Sequence, residues 1–493
     1  MIKSLVINPP FLEPHRPPIS CAILAEILEQ QQHLVQVRDF NIEIHNQLGP
    51  NQFHDLQIKI TTGDDSQAVS LLTTMIDREI SNIQDLHEYQ WILISCFSFW
   101  NLISLRTICE RLRRLSNAKI MIGGPGIEVN DVGMKMLKEN LIDFCVYGEA
   151  ELVVPRLLSG ETDLPGVNGN PPQQIVDIEN LPLPNYSYFD FSKYDWLLES
   201  PDVFIYGSRG CVRRCTFCDV ATYWPKFRWR TGQSIANEMI SNYEKFGVTN
   251  YFFADSLVNG NLKEFRVMCE LLANYREGLF RWGSYAIVRH RAAHSVEMFD
   301  LIKASGGKFW SIGIESGVDR IRFEMDKKFT NDDVDWHLEQ SQRIGLQNNF
   351  LCIGSWPSET LAEHHEYLGM FKRWQNYAID GTIYGIRISP MLSVLDGTPM
   401  SRQIGKDFHF EEFSHDVSIA TRSWSWYTPT NPTLTHTEKL RRVLALYEEA
   451  IKYKWPLTNC LQNLSEIKSA ALSLTEYTKY ILPRKMIPIH SSN

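Results

Sequence analysis

Two runs of alternating strand-like and helix-like segments, split by a proline-rich stretch, limit the folds open to this chain. In the first run, "SLVINPP", "HLVQVRDF", "QWILISCFS", "AKIMIGGPG" and "IDFCVYGEAE" read as short strands. "SCAILAEILEQQQ" and "LISLRTICERLRRLS" carry helical spacing between them. The unbroken apolar run of the third strand suits a strand buried on both faces of a parallel sheet. From Ser159 to about Asp202 the pattern stops, and Pro165, Pro171, Pro172, Pro182 and Pro184 fall among glycines. The expectation there is a linker or extended crossing, not packed structure. At Val203 the alternation resumes. Strands are expected at 203–207, 250–254, 281–287, 309–314, 348–353 and 383–389. Helices are expected at 232–246, 261–276, 295–305, 318–345 with a break, and 358–376. Parallel strands joined by crossover helices close into a barrel or a partial barrel.

The expected class is therefore α/β. A Rossmann-like domain covers 1–160, a linker 161–201, a partial (β/α)6 barrel 202–400, and a small, mostly helical region 401–493. That last region holds an aromatic patch with Trp424, Trp426 and Tyr427 and one helix near 436–454. A length of 493 residues fits several cores better than one. The net charge of -9 argues against a nucleic-acid partner. The apolar run at the N-terminus is too short for an export signal, and "QWILISCFSFW" is too short to span a bilayer. The expected location is the cytoplasm, without disulfides.

Of ten cysteines, seven are scattered in mostly apolar surroundings and read as small buried hydrophobes. Cys211, Cys215 and Cys218 stand together in "GCVRRCTFCDV", just past a strand end. Structural zinc takes four ligands, usually as two pairs, and no second pair follows, although His290 and His294 lie further along. A redox pair would leave Cys211 unexplained. Three thiolates fit an iron–sulfur cubane, whose fourth iron then stays open to a small molecule. Arg209, Arg213 and Arg214 are expected to lower the thiol pKa values.

The spacing C-x3-C-x2-C, with Phe217 before the last cysteine, resembles the radical S-adenosylmethionine (SAM) superfamily. The resemblance extends over about 200–400: "FFADSLVNGN", "SIGIESG", "LCIGSWPSET" and "ISPMLSVLDGTPM" match its strand-end segments in order. It implies a [4Fe-4S] cluster on Cys211, Cys215 and Cys218, with SAM on the open iron. It further implies SAM contacts from Phe217, Asp255, Asn259, Glu315, Ser316 and Gly354. Ser256 stands where the family often has a second acid. An electron donor such as flavodoxin or ferredoxin is implied as a partner.

The first domain resembles the cobalamin-binding domain that precedes the radical domain in one large subfamily, and "LPLPNYSYFDFSKY" resembles that subfamily's connector. Implied cobalamin contacts are Asn8, Ser95, Ser98, Gly123, Gly124 and Glu149. The family's Asp-x-His-x-x-Gly loop is missing; His15 lies in the corresponding loop without that motif. Implied chemistry is reductive cleavage of SAM and methylation of an unactivated carbon of a small molecule or peptide. Cyclisation, isomerisation and oxidation remain open, as do a methylthiotransferase and a non-enzymatic iron–sulfur scaffold. Tyr285, Arg289, Tyr384 and Arg387 fall on expected barrel strands, and some of them line the pocket.

Overall fold

The computed structural model describes residues 2–457 apart from 63–64, 196–199, 390–391, 396, 404–405, 408 and 411–425. The chain forms two compact units, 1–205 with 237–252, and 206–236 with 253 onward. No described helix is long and apolar enough to cross a membrane.

The first unit contains β1 (Lys3–Asn8), α1 (Ile19–Gln30), β2 (Leu34–Asp39), α2 (Phe40–Leu48), α3 (Pro50–Thr62) and α4 (Ser66–Ser81). β3 (Trp91–Ser95), α5 (Leu102–Leu115), β4 (Lys119–Gly123), α6 (Val132–Lys138), β5 (Phe144–Val146) and α7 (Val153–Leu158) follow. The sheet is parallel in the order β2-β1-β3-β4-β5. Strand order therefore reverses between β1 and β3, which makes their carboxyl ends a topological switch point. β3 is buried along its whole length, as its unbroken apolar run requires. Leu5, Ile7, Ile92, Ile94, Ile120 and Ile122 share one core with the helices. α2 starts directly at the end of β2 because Asp39 Oδ1 accepts from Asn41 N and Ile42 N.

The stretch from 159 to 202 corrects the expectation of unpacked chain. Its described residues hold no strand before Asp202 and no α-helix, but Leu164, Val167, Ile178, Tyr186 and Tyr194 are buried. Tyr186 donates to the Phe204 carbonyl (2.6 Å) and Tyr194 to Asp39 Oδ2 (2.8 Å). Proline denies this segment a ladder; it does not prevent widely spaced side chains from docking.

The second alternation runs β6 (Asp202–Ile205), β7 (Ser208–Arg209), α8 (Val220–Tyr223), β8 (Arg228–Trp229), α9 (Gly232–Phe246), β9 (Asn250–Phe253) and α10 (Leu262–Tyr275). It continues with β10 (Arg281–Ala286), α11 (Val296–Ala304), β11 (Gly307–Glu315), α12 (Asp319–Glu324), α13 (Asn331–Ile344) and β12 (Gln347–Ile353). α14 (Leu361–Arg373), α15 (Gln375–Ile379), β13 (Ile383–Ser389), β14 (His409–Phe410), β15 (Trp426–Tyr427) and α16 (His436–Lys452) close the described chain. The main sheet has the order β13-β12-β11-β10-β9-β6, the sequential order of a partial barrel. Thr330 and Thr360 begin α13 and α14 with capping boxes to Asp333 and Glu363. Trp426 is buried on β15, while Trp424 lies outside the described residues.

Candidate active site

The cysteine loop leaves β7 at Gly210, whose φ of +84° suits glycine; a Cβ there would lie 2.9 Å from the Lys226 carbonyl. All three cysteines are partly exposed. The turn is closed by Cys218 N donating to Cys215 O (3.1 Å). Two further backbone bonds stitch it down, Thr216 N to Met325 O (3.2 Å) and Met400 N to Thr216 O (2.9 Å). The Gly-Thr-Pro segment approaches so closely that a Cβ on Gly397 would lie 2.6 Å from Thr222 Cγ2. Among the described residues no three His, Cys, Asp or Glu side chains converge on a single-ion position. A cubane instead presents a separate iron to each thiolate, so a three-cysteine loop with open faces fits that group. His290 pairs with Asp333, and His294 is buried between Phe265 and Trp310.

Burial pushes the Cys215 thiol up and the Cys218 thiol to about 11. The cation opposing burial at both is Lys327, not the loop arginines expected from sequence. Arg209 lies over the Tyr206 ring, and Arg214 donates to the Pro225 carbonyl. Lys327 Nζ donates to Glu315 Oε1 (2.7 Å) and to Gly313 O (3.2 Å), and lies 5.6 Å from the centre of the Phe217 ring. Burial works against its charge, but Glu315 and Cys215 outweigh that and its pKa is raised. Glu315 sits at φ +62° beside a bulge in the β11–β12 register. Tyr367 holds its carbonyl (3.0 Å). Phe217 in turn meets Trp356 edge-on at 6.0 Å. Cys215, Cys218, Phe217, Glu315 and Lys327 thus form one linked group.

The other SAM candidates are engaged with the protein itself. Asp255 is buried and accepts from Gly207 N (2.8 Å) and from Ser208 Oγ; burial pushes it to about 7. Asn259 forms a two-way amide pair with the Ile287 backbone, at 2.8 and 3.1 Å. Ser316 Oγ accepts from Val318 N (3.2 Å), and Gly354 N donates to Ser389 O (2.9 Å).

In the first unit, Asn8 and Ser95 end β1 and β3 at the switch point. Asn8 Nδ2 donates to Asp39 Oδ1 (2.7 Å), while its own Oδ1 is buried with no partner among the described residues. Ser95 Oγ donates to Ser20 Oγ (2.8 Å), and Ser98 caps the turn at 99–101. A Cβ on Gly124 would overlap the Cys96 carbonyl, and one on Gly126 would lie 2.8 Å from Ser98 O. These glycines therefore make room for the 96–98 loop. A Cβ on Gly123 would lie 3.3 Å from Val146 O. Glu149 accepts from Ile175 N (2.7 Å). His15 Nδ1 bonds the Asp195 carbonyl (2.6 Å). Burial pushes Cys96 to about 12 and raises Cys21 and Cys145, so these thiols are buried groups and not loop ligands.

Residues 205–370, which carry the cysteine loop and the Glu315 turn, match the family model "Radical SAM superfamily". Over that segment, about a third of its length, the chain is similar to the radical SAM superfamily. Among curated proteins, it is 27% identical over 195 residues to cytidylyl-2-hydroxyethylphosphonate methyltransferase of Streptomyces wedmorensis, covering 37% of this chain and 35% of that one. It is 26% identical over 337 residues to anaerobic magnesium-protoporphyrin IX monomethyl ester cyclase of Synechocystis, covering 64% of each. The chain thus spans about a third to two thirds of the length of these relatives. Its fold resembles that of the radical SAM methyltransferase TsrM from Kitasatospora setae, solved with cobalamin and a [4Fe-4S] cluster. There the TM-score is 0.66 at 15% identity, over 96% of this chain and all of that one.

Lys327 is the site residue missed by sequence reasoning. In "MDKKF" it looks the same as Lys328, yet Lys328 stays exposed and pairs with Asp326. Only the fold turns one lysine toward Glu315.

Proposed function

We propose that this chain is a cobalamin-dependent radical SAM enzyme that methylates an unactivated carbon of a small molecule or peptide. The observation that carries the reading is the linked group of Cys215, Cys218, Phe217, Glu315 and Lys327 within the matched segment. Cys211, Cys215 and Cys218 would hold the cluster. When bound, the cluster and SAM supply a carbon-centred radical, and cobalamin supplies the methyl group. Lys327 offers positive charge beside two thiolates and holds Glu315 in place. Phe217 and Trp356 give the loop an apolar wall that keeps water out. Asp255 and Asn259 hold the neighbouring strand ends rigid, which preserves orientation. In the first domain, 1–160, the ends of β1 and β3 are the place for cobalamin, with Asn8 Oδ1 as a buried acceptor still lacking a donor. An electron donor of the flavodoxin or ferredoxin type would serve the cluster.

The test is anaerobic iron–sulfur reconstitution, addition of hydroxocobalamin, gel filtration, and a visible spectrum of what is retained. Near-stoichiometric cobalamin with deoxyadenosine formed from SAM supports the reading. Deoxyadenosine without retained cobalamin favours the second reading, a radical cyclase, isomerase or oxidase, for which the longer alignment with the Synechocystis cyclase speaks. No deoxyadenosine removes both.

A further inference from the structure

The parallel ladder β10–β13 has two unlike faces. One carries Trp310, Ile312, Ile314, Phe350 and Ile388, all buried. On the other, register places Tyr285, Ser311, Asn349 and Gly385 in one row, and Gly313, Leu351 and Arg387 in the next. Parallel sheets are ordinarily covered on both faces, and barrel interiors are filled by branched aliphatic side chains. Here the second face is only half covered. Ser311, Gly313, Asn349 and Leu351 are partly open, Tyr285 is 42% exposed, and Arg387 is exposed.

The Arg387 side chain has no hydrogen bond or ion pair among the described residues. Arg320, Arg322, Arg343, Arg373 and Arg442 in the same unit all reach carboxylates. A guanidinium on the inner face of a barrel strand, without a counter-charge, presents a planar fork suited to a carboxylate or a phosphate. Tyr285 and Tyr384 lie within electrostatic reach of each other on the flanking strands. They offer ring surface for the rest of such a molecule.

We propose that Arg387, on the half-open face of β10–β13, anchors a carboxylate or phosphate group of the substrate beside Tyr285. This rests on the radical-enzyme reading above, and names the chemical class on which that enzyme acts.

The experiment uses the full chain and two probes, phenyl phosphate and phenylacetate, with phenol as the uncharged control. Phenylglyoxal modifies accessible guanidiniums, and peptide mass spectrometry reads the rate at each arginine. Arg387 is expected to react faster than buried Arg322 and Arg442. One of the charged probes, but not phenol, is expected to slow it about tenfold, and the more effective probe tells phosphate from carboxylate. In calorimetry, R387M is expected to weaken that probe by about ten- to a hundredfold, with R387K intermediate. Because Arg387 has no partner to lose, R387M is expected to keep the wild-type urea midpoint. Protection by SAM instead of the probes would assign the anion to the cofactor and overturn the proposal. Equal probe binding by R387M, or no protection by either probe, would also overturn it. Deoxyadenosine formation and cobalamin retention are read separately. Their failure with protection intact would remove the enzyme reading and leave the anion site standing.

Discussion

Lys327 and Glu315 meet at the end of β11, Nζ to Oε1 at 2.7 Å, in space that exists because residue 313 is glycine. A Cβ on Gly313 would lie 2.6 Å from Lys327 Nζ. The pair ties the strand end to the cysteine loop through Phe217. Lys327→Met leaves a mostly buried carboxylate without its partner. The expected cost is about 1–3 kcal/mol in urea unfolding. SAM cleavage is expected to fall by about tenfold or more, with Lys327→Arg retaining most of it. A K327M protein as active as wild type would show that the cation has no part in the site.

The three loop cysteines and the buried ones separate cleanly in a metal assay. Cys211→Ala, Cys215→Ala and Cys218→Ala should each lose most of the iron and the broad visible absorbance after reconstitution. Cys96→Ala and Cys145→Ala should keep both, because those thiols are buried in the first core. Iron loss in the latter pair, without loss of folding, would make those cysteines iron ligands and overturn this division.

Much of the fold was legible because short apolar runs alternate with amphipathic stretches of ordinary length. The expected helix at 232–246 and strand at 383–389 coincide with α9 and β13. The helices α2–α4 were not read; α3, in particular, is built from a largely polar stretch whose few buried apolar residues give a faint period. The packing of 159–202 was hidden by its prolines, since docking by single aromatic residues leaves no periodic trace. At the site, the cysteines and Glu315 were visible as motifs. Lys327 was not, because its pairing depends on where the α12–α13 connection folds back. The glycines at 123, 124 and 126 were visible, but their reason was not: at Gly124 and Gly126 it is the backbone of the 96–98 loop.

Asp255 makes a distinct pH prediction. Its folded pKa of about 7 lies above the ordinary 3.8, chiefly through burial. Between those values the unfolded chain gives up a proton that the folded chain keeps. Stability from this group is therefore full below about pH 4 and declines as pH rises toward 7. In Asp255→Asn that decline should disappear, seen as a flatter urea midpoint between pH 4 and 7. An unchanged slope would place the group's ionisation outside this window.

His294 and His337 act in the opposite direction. Burial holds them down at about 3 and about 4, against an ordinary 6.5. Below pH 6.5 the unfolded chain takes up protons that the folded core refuses, so stability is full above 6.5 and is lost as pH falls toward 4. His337→Gln keeps a donor for Asn348 Oδ1, which His337 Nε2 meets at 2.8 Å, and removes the titration. Its loss of urea resistance between pH 7 and 5 should be smaller than that of wild type; equal losses would mean His337 does not titrate there.

Arg442 and Glu359 test how the last described helix is held. Nη1 bonds Glu359 Oε2 at 2.9 Å and the Glu359 carbonyl at 2.8 Å, with both side chains at most 3% exposed. Removing one partner strands a charge away from water, so Arg442→Met is expected to cost about 3–5 kcal/mol in urea unfolding. Removing both, in Arg442→Met with Glu359→Leu, should recover most of that loss, because the desolvation penalty disappears with the charges. If the double variant is as unstable as the sum of the two single ones, the pair is not coupled and α16 is held by its apolar face alone.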